Sequence, residues 1–240
     1  MNSPYLEKAS ISRLIVFTRY PEPGRAKTRL IPVLGPAGAA DLQRRMTEGV
    51  LGRVEALAAR QEHSVRNAGV AGSLGPAHAL AARQPVAVEI RFEGGDAERM
   101  VQWLGPQWTY RPQGEGDIGA RMARALAEAV AEGVPAAVLI GTDIPDLSTT
   151  ILAEAFQRLA DHEIVIGPAA DGGYYLIGIR RERYVELAPL LFQGIAWGGE
   201  NVLRDTRSAL SPAQATVHLL PTLQDIDRPE DLAAWEAADS

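Results

Sequence analysis

Arg13-Leu-Ile-Val-Phe-Thr-Arg19 and the loop after it, Tyr20-Pro-Glu-Pro-Gly-Arg-Ala-Lys-Thr-Arg-Leu30, decide how the rest of the chain is read. The apolar run Leu14 to Phe17 reads as a buried strand. Beyond the loop, Leu42, Met46, Val50, Val54 and Leu57 recur at spacings of four and three, one face of a helix over 38–60. Strand, loop and helix in that order make a βα unit. Arg25, Lys27 and Arg29 then fall at a strand's carboxyl end, where open α/β sheets bind ligands.

Composition sharpens the reading of this loop. The chain has 22 Arg and only two Lys, Lys8 and Lys27. A compact ammonium suits a single phosphate oxygen, whereas a guanidinium is a planar fork. The loop is therefore expected to be an exposed grip on a di- or triphosphate, with Gly24 letting the backbone come close. It is not a Walker A loop, because Ala26 stands where that motif needs Gly before the Lys. A merely solvated basic loop is the bland alternative.

The whole chain sets bounds on function. It has 240 residues, a net charge of -6 and no Cys. The acidic balance argues against a nucleic-acid surface but not against a nucleotide in a local basic pocket. The lack of Cys excludes disulfides, thiolate catalysis and Cys-ligated zinc. No run of 18 apolar residues exists, so no membrane span is expected. We expect a cytoplasmic protein with a loose tail over 1–12 and a single domain over 13–240.

Strand and helix signals alternate along the chain, which points to a mostly parallel sheet flanked by helices. Strands are expected at 86–92, 107–111, 136–140, 163–167, 174–179 and 216–220. Helices are expected at 97–104, 118–130, 151–160, 201–209 and 229–237, the last with Pro at its first turn. Residues 62–85 hold Gly69, Gly72, Gly75 and Pro76 without a steady period and read as an irregular excursion, with 76–83 a candidate helix.

Five further motifs are candidates for chemistry. Asp143 and Asp146 follow Ala136-Ala-Val-Leu-Ile140, the strongest strand. A carboxylate there caps the next helix or holds Mg²⁺, which usually takes one or two carboxylates plus substrate phosphates. Asp146 sits near a helix start and suits capping; Asp143 has the better claim to a metal. Gln113-Gly-Glu-Gly-Asp-Ile-Gly119 is open enough for a ligand at Gly116, while Asp117 suits an N-cap. Asp171-Gly-Gly-Tyr-Tyr175 is either a hairpin turn or a carboxylate and two rings over a pocket. Asp227 is a helix entry or a second metal carboxylate, and Trp197-Gly-Gly-Glu200 a lid or acceptor edge or a packed ring. The four His are scattered and receive no role.

Taken in order, Phe17 to Leu30, Gln113 to Gly119, Gly141-Thr-Asp-Ile-Pro-Asp-Leu147, Gly167 to Gly178 and Asp225-Ile-Asp-Arg-Pro-Glu-Asp-Leu232 resemble the bacterial DUF2064 proteins. That family is also labelled selenodomain-associated transferase 1, within the nucleotide-diphospho-sugar transferase (GT-A) superfamily. The basic loop is also similar to that of phospholactate guanylyltransferases. The resemblance implies a GT-A fold, a Rossmann-like mixed sheet, and a nucleoside di- or triphosphate or nucleotide sugar bound with Mg²⁺ or Mn²⁺. It implies phosphate contacts from Arg25, Lys27 and Arg29, and metal contacts from Asp143 and, secondarily, Asp227. Gly199 stands where the family leads us to expect a hydroxyl residue.

The expected nucleotide-binding set is Arg19, Gly24, Arg25, Lys27, Arg29, Gln113, Gly116 and Asp117. The expected catalytic set is Lys27, Asp143 and Asp171, with Asp171 an acceptor base or orienter. The first expectation is a metal-dependent glycosyl transferase acting on a small-molecule acceptor. A nucleotidyltransferase would use the same residues but release pyrophosphate, and a nucleotide sensor would bind without turnover.

Overall fold

The computed structural model describes residues 11–68 and 85–238. Seven strands form one sheet in the order β3-β2-β1-β4-β6-β5-β7. They are β1 (Ser12–Arg19), β2 (Val86–Glu93), β3 (Thr109–Pro112), β4 (Ala136–Ile140), β5 (Ile164–Pro168), β6 (Tyr174–Arg180) and β7 (Val217–Leu219). All neighbours run parallel except β6, which is antiparallel to both β4 and β5. The order grows outward from β1 in both directions, so the β1–β4 boundary is the switch point where a ligand crevice opens.

Side-chain alternation makes three layers. Leu14 and Val16 point into a core with Val138, Ile140, Ile90 and helix residues Val50, Val54, Leu57 and Phe156. Ile15 and Phe17 point the other way, into a core with Leu139, Ile177, Met122, Leu126, Leu187 and Leu191. Both faces of β1 and β4 are thus covered, which is why those strands are apolar throughout rather than alternating.

The first face carries α1 (Ile31–Ala68), α2 (Ala97–Leu104) and α4 (Thr149–Arg158); the second carries α3 (Ile118–Ala131) and α5 (Arg181–Phe192), with α6 (Val202–Leu210) beside them. The last helix, α7 (Leu232–Ala238), follows a 3-10 turn at Pro229–Asp231. Helix α1 starts earlier and ends later than its periodicity predicts. Gly35 interrupts it and Pro36 restarts it, and no Gly or Pro intervenes from 53 to 68 to stop it. Residues 62–68 therefore continue the helix and are not irregular; the candidate helix over 76–83 lies outside the described residues. Helix α5 carries no expectation from sequence. It begins directly at the end of β6 without a loop or a side-chain cap and tolerates Pro189, so its usual boundary signals are absent. Ser12 belongs to β1 rather than to a tail, pairing with Val86. Among the described residues no helix is long and apolar enough to cross a membrane.

The segment after β7 returns across the crevice as a strap. Leu223 N–H donates to the Pro168 carbonyl (3.1 Å), and Ile226 N–H to the Asp143 carbonyl (2.9 Å). Lys27 locks this strap from the other side. Its Nζ donates to the Ile226 carbonyl (2.5 Å) and pairs with Asp143 Oδ1 (2.9 Å), and its side chain is only 3% exposed. Lys27 also holds left-handed backbone angles, φ 48 and ψ 47, a conformation that costs a non-glycine residue about 1–2 kcal/mol. The expectation of an exposed loop lysine is corrected: the loop turns its tip outward and its lysine inward.

Two outcomes follow from these contacts. Lys27→Ala should lower unfolding free energy by about 1.5–3 kcal/mol, the scale for losing a buried hydrogen bond from a charged donor. A denaturant midpoint matching wild type would show that the strap holds without the ammonium. Asp117→Ala should cost about 1 kcal/mol, because Asp117 caps α3 by accepting the Ala120 N–H (2.8 Å). Thermal unfolding of Asp117→Asn, which keeps the acceptor, should stay near wild type.

Candidate functional site

Two cavities open at the switch point and meet. The first, about 520 Å³, lies over the carboxyl ends of β1 and β4. Its lining includes the cations Arg19, Lys27, Arg29 and Arg121, with Thr18, Gln43, Gln113 and Thr142 on its floor. The second, about 550 Å³, lies toward β6 and includes Phe17, Ile118, Met122, Tyr174 and Trp197 together with Asp143, Asp171, Asp225 and Asp227. Arg29, Ile118, Gly141, Asp143 and Asp227 line both.

The floor of the basic cavity is a buried hydroxyl cluster. Thr18 and Thr47 hydroxyls lie 2.8 Å apart, Gln43 Nε2 donates to Thr47 (3.1 Å), and Thr142 donates to Thr18 (3.3 Å). This ties β1, α1 and the end of β4 behind the basic loop. Its far wall holds Glu93, which accepts from Arg19 (2.7 Å) and Arg121 (3.0 Å). Burial opposes ionisation of Glu93, but the two guanidiniums outweigh it and hold its carboxyl below the ordinary value. Gln113 is buried and donates to the Thr18 and Arg91 carbonyls, stapling β1 to β2.

The expected nucleotide set divides on this geometry. Arg19, Lys27, Arg29 and Gln113 line the basic cavity. Gly24, Arg25, Gly116 and Asp117 line neither cavity. The Arg25 side chain is 76% exposed and pairs with Glu22 (3.5 Å), because the inward turn at Lys27 leaves Arg25 on the outer side of the loop. Asp117 is committed to capping α3. Sequence reasoning missed Arg121, Glu93, Gln43 and Asp225. Arg121 was visible only as a polar residue off the apolar stripe of α3, and Asp225 lay inside a quoted motif without a role.

Asp143 and Asp227 face each other across the junction, each holding a cation of the basic loop. Asp143 pairs with Lys27, and Asp227 pairs with Arg29. Asp225 has a buried carboxylate oxygen with no hydrogen-bond partner. Burial, then the charge of Asp171, then those of Asp231 and Asp227, hold the Asp225 carboxyl above its ordinary value. Among the described residues no three His, Asp or Glu side chains form a ready metal cage. Two carboxylates at the edge of a basic cavity do fit a dication whose remaining ligands come from water and a bound phosphate.

The aromatic wall is fixed in place. Trp197 meets Tyr174 edge-on at 6.1 Å and stacks on Phe192 at 6.5 Å. Its indole fills the space over Gly119, where a Cβ would lie 2.2 Å from Nε1. Gly172 is similarly required: its φ is +90, and a Cβ would meet the Glu200 carbonyl at 2.0 Å. The turn before β6 and the Trp197 loop therefore close against each other. Asp171 Oδ1 accepts the Gly173 N–H (2.8 Å), so Asp171 serves as a turn former whatever else it does.

A solved structure of a candidate nucleotide-diphospho-sugar transferase from Desulfovibrio desulfuricans G20 is 34% identical, with a TM-score of 0.73, over 90% of this chain and 82% of that one. The 4-diphosphocytidyl-2C-methyl-D-erythritol synthase of Anaerococcus prevotii DSM 20548 is 10% identical with a TM-score of 0.57, over 95% of this chain and 96% of its own. A CMP:2-keto-3-deoxy-manno-octonic acid synthetase complexed with CTP is 12% identical with a TM-score of 0.53, over 96% of this chain and 100% of its own. At these identities the last two share the fold, that of the nucleotide-diphospho-sugar transferases. A curated sequence, small ribosomal subunit protein uS5 of Pseudothermotoga lettingae, is 29% identical over 121 residues, half of this chain; the match spans 63% of that protein. The family described as "Uncharacterized protein conserved in bacteria (DUF2064)" matches residues 77–199. With that match over half its length, and with the 34% identical structure covering nearly all of it, the chain belongs to the DUF2064 family.

Proposed function

We propose that this protein is a metal-assisted transferase that moves a glycosyl group from a nucleotide sugar to a small-molecule acceptor. One observation carries the reading: a basic cavity and an aromatic, carboxylate-lined cavity meet at Arg29, Asp143 and Asp227. The first suits the diphosphate of a donor and the second suits an acceptor. The 34% identical relative described as a candidate nucleotide-diphospho-sugar transferase supports it.

Arg19, Lys27, Arg29 and Arg121 would hold the donor phosphates. Lys27 is a buried point charge with a fixed position, so it would meet a phosphate oxygen without reorganising. Asp143 and Asp227 would hold Mg²⁺ or Mn²⁺. When bound, such an ion would neutralise charge on the departing diphosphate. Tyr174 and Trp197 would orient the acceptor. Its hydroxyl oxygen would bond to the anomeric carbon of the donor, the bond from that carbon to the phosphate oxygen would break, and its electron pair would leave with the nucleoside diphosphate. The hydroxyl proton would pass to Asp171.

Calorimetric titration of nucleoside diphosphates with and without Mn²⁺ tests the donor half. Wild type should bind at least about tenfold more tightly with the ion, and Asp143→Asn should lose that gain. Asp227→Asn should lose less. A full metal effect in Asp143→Asn would leave Asp143 with only its anchoring of Lys27.

Asp171→Ala tests the other half. A base role predicts unchanged nucleotide affinity with kcat lower by about 10²- to 10⁴-fold. Reduced stability with normal kcat in the folded fraction would reduce Asp171 to its turn.

A further inference from the structure

Charge is divided unequally between the two cavities. The donor side gathers four cations, Arg19, Lys27, Arg29 and Arg121, against three carboxylates, Glu93, Asp143 and Asp227. The acceptor side gathers Asp143, Asp171, Asp225 and Asp227. Among the described residues lining it, Arg29 is its only cation, and Arg29 is already paired with Asp227. A dication on Asp143 and Asp227 would draw those two carboxylates toward the donor. Asp171 and Asp225, which also line an adjoining cavity with Arg29 and Arg228, would still face the second substrate.

The rest of that cavity is apolar and preformed. Trp197 is held by Tyr174, Phe192 and the missing Cβ of Gly119, so its face is fixed before anything binds. Ile118 is 41% exposed although it sits in a concave site at the junction. A ring-shaped ligand would cover both. Asp171 and Asp225 place carboxylates in the same lining. Carboxylates accept hydrogen bonds from hydroxyl and ammonium groups and repel phosphate and carboxylate.

We propose that the second substrate is an uncharged or cationic molecule with a ring face and hydroxyl or amine donors, and that Asp171 and Asp225 reject phosphorylated and carboxylated acceptors. The inference rests on the two-substrate reading above and narrows it. It also disfavours nucleotidyl transfer to a phosphate-bearing acceptor, since that phosphate would have to enter the acidic side. The contrast with the basic cavity gives the charge division a purpose: an anionic donor has one productive side of the junction.

Matched probes test this on the intact protein in Mg²⁺ buffer. Tyramine, tyrosol and 4-hydroxyphenylacetate share a hydroxylated ring and carry a positive, zero and negative charge. The Trp197 indole N–H signal, assigned by its loss in Trp197→Phe, reports binding by ¹⁵N NMR. Tyramine and tyrosol should move it at concentrations at least about tenfold lower than 4-hydroxyphenylacetate, as like-charge juxtaposition is costly. In the double variant Asp171→Asn with Asp225→Asn, which keeps both shapes, the preference should fall to about twofold or less. Equal or tighter binding of the carboxylate probe would overturn the proposal. So would a preference that survives in the double variant, or no probe moving Trp197. Nucleoside diphosphates titrated into the same samples read the donor side separately. Diphosphate binding without charge discrimination sinks this inference alone; no diphosphate binding sinks the reading beneath it as well.

Discussion

One ammonium group joins three segments that are distant in sequence. Lys27 comes from the loop after β1, Asp143 from the end of β4, and Ile226 from the returning strap. Other contacts join these segments as well: Arg29 of the loop pairs with Asp227 of the strap, Ile226 packs in one core with Leu30, and Leu223 bridges to Ala169. A buried charge must be paired or it is very costly. Burying Lys27 therefore enforces the presence of both partners, and the crevice takes its width from that requirement. The left-handed backbone at Lys27 is the local strain this arrangement tolerates.

The same contact links folding to chemistry. Asp143 offers its carbonyl to the strap and its carboxylate to Lys27, so its side chain is positioned before any ligand arrives. The hydroxyl cluster of Thr18, Thr47, Gln43 and Thr142 fixes the floor behind it. Such support matters because electrostatic stabilisation is effective only where the charges need not move. The residues that hold the site together and those proposed to act in it are in part the same.

Much of this was legible in sequence because its signals are local. The buried runs at Leu14 to Phe17 and Ala136 to Ile140, the cap Asp117 and the Asp171 turn all follow from neighbouring residues. What sequence could not carry was direction. Arg25 and Lys27 are two residues apart in one loop, yet one lies outside and the other is buried, in a loop where both Gly24 and Lys27 take positive φ. Helix α5 escaped for the opposite reason: it lacks the cap and connecting loop that mark a start, and contains a proline that suggests a stop. Gly119 drew no role of its own from sequence, whereas it seats the indole of Trp197, distant in the chain. Long-range complementarity of that kind leaves no periodic trace.

The antiparallel course of β6 has a consequence for how such a molecule can diversify. In a purely parallel sheet, every segment reaching the crevice would be the end of one strand and the lead into a helix, so altering it would disturb a crossover. Here β6 begins at the crevice, immediately after the turn at Asp171 to Gly173, and leaves in the opposite direction. That turn carries no helix and sets no register between β1 and β4. Apart from Gly172, which the Glu200 carbonyl requires, residues there can be exchanged without altering the pairing of β1 with β4. The fold is in effect a fixed handle with an interchangeable tip, and chains that keep the β1–β4 half can diverge by rewriting one hairpin.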